Sequence, residues 1–235
     1  MTTADSPHRA DGWTAAVRQR LDLGRLLPLG GPADGTWIAE RAAAAVLREA
    51  ANGSGAVLGR LRIDGSDADS TADSAPEPVV PPPPGALPPG PLRIEADFAT
   101  TAQRPLHVTA DALRSALLTA ASARLGLDVA EVDLRVTGLL DEEPGPAAVP
   151  RAEVHGTEAD GVAGIAAAGV PGVFSLTRVL GSAVHTGAGH VRVELATAGD
   201  HRALDVARAV REAVAYAVED RPSVAVLVTA VVEHG

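Results

Sequence analysis

The chain has no cysteine and no lysine, and only 2% of its 235 residues are aromatic. Without cysteine there is no disulfide framework, no cysteine-based zinc site and no thiol nucleophile. The scarcity of Phe, Trp and Tyr means that the 46% of hydrophobic residues are chiefly Ala, Val and Leu, which build thin, closely packed layers. The missing lysine makes all 20 basic residues Arg. Beside abundant Ala, Gly and Pro, this reads as the codon bias of a GC-rich genome and carries no functional message. Positive charge is also short: the formal net charge is -10, which opposes diffuse attraction to nucleic acid or anionic lipid. No apolar run approaches the roughly 20 residues that span a bilayer. The first ten residues, MTTADSPHRA, lack the basic start and apolar stretch of a secretory signal. The expectation is a soluble, cytoplasmic chain with no nucleic-acid partner and no direct membrane insertion.

What is present is organised by two breaks. Between Asp64 and Pro91 an Asp/Ser/Ala tract gives way to Pro76, Pro78, the run Pro81 to Pro84, Pro88, Pro89 and Pro91. Little apolar surface and few amide donors predict a disordered loop with a polyproline II tail, whose deletion would leave the melting transition nearly unchanged. The second break, DEEPGPAAVP from Asp141 to Pro150, reads as a linker.

Before the first break, Trp13, Val17 and Leu21 predict a short amphipathic helix over Gly12 to Leu21. Thr36 to Ala51 predicts a stronger helix, with Thr36 as its cap and Asn52-Gly53 as its end. Ala56 to Ile63 and the alternating Leu92 to Phe98 predict strands, Thr109 to Leu125 a helix capped by Thr109 and ended by Gly126, and Val132 to Leu139 a strand. The same order recurs after the linker. Val191-Arg-Val-Glu194 repeats the pattern of Leu92-Arg-Ile-Glu95, and aligning Arg211 with Arg114 brings Ala207, Val210, Val214 and Ala217 onto Ala110, Leu113, Leu117 and Ala120. Val224 to Val232 stands where Val132 to Leu139 does, and its more apolar sequence predicts a central strand. The fold class expected is α/β (α+β): two tandem modules, each a three-stranded sheet covered by helices in the order helix-strand-strand-helix-strand. The boundaries are an N-terminal amphipathic segment and loop over 1–34, a first module over 35–140 with the insertion 64–91, a linker over 141–156 and a second module over 157–235.

Three segments of the second module, roughly Thr157 to His234, resemble the alkaline-shock protein family of Gram-positive envelope stress responses. They are IAAAGVPGVFSL from Ile165 to Leu176, VRVEL from Val191 to Leu195, and the helix and strand of Asp205 to Glu233. In the first, the turn Val170, Pro171, Gly172 and Val173 leads a helix into a strand. The first module lacks this turn and joins the family only through the internal repeat. The resemblance implies a non-enzymatic protein that is abundant, self-associates and is held at the membrane by a separate membrane protein, hence peripheral to it through a partner. It supplies no catalytic residues.

Other motifs point weakly to chemistry. Gly30 to Gly35 (GGPADG) lacks the Gly-Lys-Ser/Thr ending of a phosphate loop. Asp64 to Ser70 lacks the ligand order of a calcium loop, and His185 and His190 lie in a Gly-rich hairpin without a third ligand. Ser175 and Ser182 have no nucleophile elbow, Glu142-Glu143 sits in the linker, and no Gly-x-x-Gly loop supports an RNA-binding reading. No catalytic, cofactor-binding or metal residue is therefore assigned. Leu21, Leu23, Leu26, Leu27 and Leu29 cluster outside either repeat and are the candidate partner contact, the plainer reading being that they pack across a sheet. The leading expectation is a structural or interaction protein of the envelope stress response, forming homo-oligomers and binding a protein partner. The alternative is a small-molecule-binding protein or enzyme with a site between the modules.

Overall fold

In the computed structural model, which describes residues 23–66, 79–145 and 154–233, the elements follow in the order β1 (Leu26–Pro28), β2 (Thr36–Ala39), α1 (Glu40–Ala51), β3 (Ala56–Gly65) and β4 (Leu92–Thr101). Then come α2 (Leu106–Thr119), continued by a π-helical turn (Ala120–Leu125), β5 (Val129–Leu140), α3 (Gly161–Ala168), β6 (Val173–Leu176), β7 (Val184–Gly187), β8 (His190–Ala198), α4 (Ala203–Ala217) and β9 (Ser223–Val232). One sheet runs β1-β2-β9-β8-β6 with β7 also on β8, and a second runs β3-β4-β5. The fold is α+β. Among the described residues no helix is long and apolar enough to cross a membrane. The helix expected over Gly12 to Leu21 lies outside the described residues.

The order helix-strand-strand-helix-strand appears twice, as α1-β3-β4-α2-β5 and as α3-β6-β8-α4-β9, with β7 inserted in the second. In each unit the last two strands are parallel and a helix connects them. Matching details reach single residues. Arg114 and Arg211 each donate through Nε to a carbonyl of the last strand, Val132 at 3.4 Å and Val224 at 3.0 Å. Ile94 pairs with Val132 and Val191 with Val224. Each parallel pair breaks register after Phe98↔Val136 or Leu195↔Val228. The extra residue is Thr137 or Thr229, whose hydroxyl donates to Phe98 O at 3.3 Å or Leu195 O at 3.1 Å. The repeat is therefore set two residues on from the motif match: Ile94, not Leu92, corresponds to Val191. An even slip keeps every side chain on its face, so the alternating pattern could not tell the two registers apart.

Three further expectations change. Thr36 does not cap a helix: Thr36–Ala39 is a strand parallel to β9, with Thr36 Oγ1 bonded to Leu29 O, and the helix starts at Glu40. Trp and β-branched side chains fit a pleated, buried surface better than a first helical turn. The opening of the expected first module thus belongs to the C-terminal sheet, and one continuous apolar core joins Leu27, Ile38, Phe98, Leu117, Val193 and Val226. Second, α2 starts at Leu106, before Thr109, because the Pro105 carbonyl accepts from Val108 and Thr109; Thr109 is buried inside the helix. Gly126 ends it as expected, in the left-handed region at φ +88°.

The third change concerns the insertion expected to be disordered over 64–91. Asp64 and Gly65 belong to β3, and the stretch from Val79 to Pro91 is anchored at buried Val80 and Pro83 and half-buried Ala86 and Leu87, with exposed residues between them. Val80 is fully buried against Gly35, Ala86 bridges to Leu26, and Leu87 N–H donates to Leu26 O at 2.8 Å. The acidic tract over 67–78 lies outside the described residues. Asp64 also joins a half-buried ion cluster in which Arg25 bonds Glu40, at 3.0 Å, together with Asp64 and the Ile63 carbonyl. Burial alone would raise the Glu40 carboxyl, but hydrogen bonds from Arg25 and its charge hold it below the usual carboxylate range. This cluster fastens the N-terminal strand segment to β3.

Candidate functional site

Among the described residues the leucine segment does not form a contact surface. Leu23, Leu26, Leu27 and Leu29 are all buried, Leu26 and Leu27 as members of β1 paired to β2, while Leu21 lies outside the described residues. The apolar cluster is used to close the sheet beyond β2.

The Val170-Pro171-Gly172-Val173 turn is a type II turn closed by Val173 N–H to Val170 O at 3.1 Å. Pro171 presets the first corner, and Gly172 takes the second at φ +87°, where a side chain is strained. Its carbonyl accepts from Ala198 N–H at 2.9 Å, pinning the turn to the end of β8. A Cβ at Gly172 would stand 2.6 Å from Val206 Cγ2 on α4 and 2.8 Å from His201. Gly172→Ala is therefore expected to lower stability by about 2 kcal/mol, read by denaturant unfolding.

The other motifs resolve into structural roles. In the Gly30–Gly35 loop, Gly31 N–H donates to the Asp34 carboxylate at 2.7 Å, so the loop binds its own anion. Asp34 is gripped in turn by Arg208 at 2.7 and 2.9 Å, and that hydrogen bonding holds its carboxyl below the usual range. Arg211 reaches the carbonyls of Ala33, at 2.9 Å, and Asp34. Both arginines border a groove of about 440 Å³ between α4 and Val79. Their guanidinium groups are already engaged by the loop. His190 bonds Ser223 at 3.0 Å, and His185 sits opposite Arg192. Burial, then the charge of Arg192, pushes the His190 imidazole down. Among the described residues no three His, Asp or Glu side chains converge as a metal site. The buried Ser175 hydroxyl has no hydrogen-bond partner among the described residues, and Glu143 pairs with Arg104 at 2.7 Å.

One group that the pattern reading missed is Glu194. The alternation Val-Arg-Val-Glu-Leu places it on the face opposite Val191, Val193 and Leu195, which in a half-exposed strand would be the solvent side. Residues 177–183 instead fold over that face, and Glu194 is 0% exposed. Its oxygens accept from Leu180 N–H at 2.9 Å and from Arg192 at 3.3 Å. Burial raises the carboxyl above the usual carboxylate range despite these partners. The carboxylate acts as a clamp for the covering segment, assisted by the Thr177–Thr229 hydroxyl bond at 2.9 Å.

The exposed surface that stands out is apolar. Helix α3, GVAGIAAA, contains no polar side chain and is capped by Asp160, whose carboxylate accepts from Gly161 N–H. A helix apolar all round belongs in an interior. Here Ala167 is buried, but Val162 and Ile165, one turn apart, point outward, with Ile165 65% exposed. Helix α3 packs on β6 and alongside α4. Each of these neighbours adds an aromatic: Phe174 is exposed on β6, and Tyr216, in the last turn of α4, is 84% exposed. The chain has only five aromatic residues, two Trp, two Phe and one Tyr, so placing two of them outside, on elements that flank an apolar helix, departs from solvent-facing composition. The signal was present in the sequence as the absence of any polar residue from 161 to 168. The Val170–Val173 turn joins two parts of this surface, α3 and β6, and sets their relative placement.

Comparison with models of known protein families, with characterised proteins and with solved structures finds no match.

Proposed function

We propose that the protein is a non-enzymatic interaction protein that binds a protein partner through α3, β6 and Tyr216, and that self-associates. The observation that carries this reading is α3 itself, a helix without polar residues whose Val162 and Ile165 face outward between elements bearing Phe174 and Tyr216. Exposed aliphatic and aromatic side chains on a packed helix-and-strand support supply what protein interfaces use at their centres, a rigid apolar anchor of low conformational entropy. The envelope stress setting, and a partner anchored in the membrane, come from the family resemblance of residues 157–234. That resemblance includes the turn which sets α3 against β6.

The test is Ile165→Asp, a change on the outer side of α3. The variant is expected to keep the wild-type melting temperature and to lose at least tenfold in partner affinity, as for a central interface anchor. Binding would be read by quantitative co-purification from detergent-solubilised envelope fractions. A variant that recovers the same partners in the same amounts would contradict the reading.

A further inference from the structure

We propose that the free edge of β5 pairs antiparallel with β5 of a second copy of this chain, about a two-fold axis through Leu134. The inference rests on the self-associating reading above and names the surface responsible.

The internal repeat supplies the first argument. By the shared arginine and threonine contacts, β5 corresponds to β9. One edge of β9 is joined to β8 and the other is closed by β2, through Thr36↔Val226 to Ile38↔Val228. The corresponding edge of β5, a strand of 12 residues, has no strand beside it among the described residues. An edge of that length is a ready template for pairing unless something blunts it. Val136 and Leu139 along it are exposed, Leu139 to 64%.

The charge pattern of β5 points to a second copy of the chain as the occupant. From Glu131 to Val136 the strand is regular, between register breaks on either side. A two-fold axis perpendicular to the sheet keeps faces matched, so only registers in which a residue sits opposite its own copy are allowed. Centring on Asp133 sets two carboxylates against each other, and centring on Arg135 sets two guanidinium groups against each other. Centring on Leu134 places Leu opposite Leu, Val132 opposite Val136 on the inner face, and Asp133 opposite Arg135 twice on the outer face. Like charges directly opposite destabilise a sheet, and opposite charges and apolar pairs stabilise it. Arg135 is exposed and has no ion-pair partner among the described residues, whereas Asp133 already bonds Arg93 at 2.5 Å and can take a second cation. The sequence of this edge is thus complementary to itself in one register. Pairing would merge two three-stranded sheets into one of six strands, with both copies of α2 on the same side.

The test uses the full chain and sedimentation velocity over a concentration series. The wild type is expected to form a dimer. Arg135→Glu, which turns both Asp–Arg pairs into like-charge pairs, should weaken it at least tenfold with unchanged melting. Because the chain lacks cysteine, Leu134→Cys should cross-link on mild oxidation. Glu131→Cys should not, its copies being six residues, about 20 Å, apart along the pair. Ile165→Asp on α3 should leave the dimer intact. A wild-type monomer throughout, a dimer indifferent to Arg135→Glu, or equal cross-linking at both cysteine positions would overturn the inference. A dimer lost with Ile165→Asp alone would overturn it too, while supporting the apolar face as the interaction surface.

Discussion

Replacing Val80 by Asp is expected to cost about 3 kcal/mol or more of folding stability, because it places a charge where a fully buried aliphatic group stood. Val80 lies in the proline-rich stretch whose composition argues for disorder, so the result separates two physical descriptions of that stretch. If 79–91 were an unpacked tail, the substitution would change nothing measurable. In the structure Val80 packs over Gly35, which itself takes φ +57°, and a few residues on Ala86 and Leu87 dock against Leu26 of β1. Losing that cover would uncover the β1–β2 end of the larger sheet. Thermal and denaturant unfolding of Val80→Asp and of the milder Val80→Ala, expected to lose about 2 kcal/mol, would grade the effect. Equal melting temperatures for all three proteins would contradict the packed strap.

Removing the carboxylate of Glu194 is the second large effect expected. Glu194→Ala removes the carboxylate that holds the covering segment and leaves the part-buried Arg192 guanidinium without its carboxylate, at a cost of about 3 kcal/mol. Glu194→Gln separates the charge from the packing. The folded-state carboxyl is raised by burial, so between its unfolded and folded values the native state binds the proton that the unfolded chain has lost. Its contribution to stability is complete below the unfolded value and is lost as pH rises through the folded one. The glutamine variant should therefore gain on the wild type as pH rises from the acid side of the carboxylate range to neutrality. Glu40, Asp34 and Asp64 are held low and act in the opposite sense, at lower pH, and comparing two proteins that share them cancels their effect. A difference between variant and wild type that does not vary with pH would contradict the account of Glu194.

The repeating units were legible because their periodicities are strong and local. Alternation in Leu92–Phe98 and the apolar run of Val224–Val232 identify strands, and the stripe of Val206, Val210 and Val214 identifies the helix between β8 and β9. What was not legible depends on contacts distant in sequence. Thr36-Trp-Ile can start a helix or form a strand, and its partner β9 lies near the other end of the chain. The proline-rich stretch has few apolar residues, but Val80 and Leu87 are the ones that its position over β1 and Gly35 uses. Glu194 reads as outward because nothing in Val-Arg-Val-Glu-Leu announces that residues 177–183 will cover it. The leucines from 23 to 29 illustrate the converse: an apolar cluster outside the repeats was equally a surface or a sheet edge, and pairing with β2 made it the latter. The apolar composition of helix α3 is plain in the sequence, but its exposure depends on what packs beside it and is not.

The functional proposal turns on whether the α3, β6 and Tyr216 surface is covered by protein in the cell. A photo-cross-linking residue placed at Tyr216, with a control at exposed Glu142 in the linker, tests this directly in the organism that makes the protein. The account predicts a discrete protein adduct from position 216, its loss when Ile165→Asp is added, and no such adduct from position 142. An absent adduct at 216, or the same adduct from both positions, would contradict it.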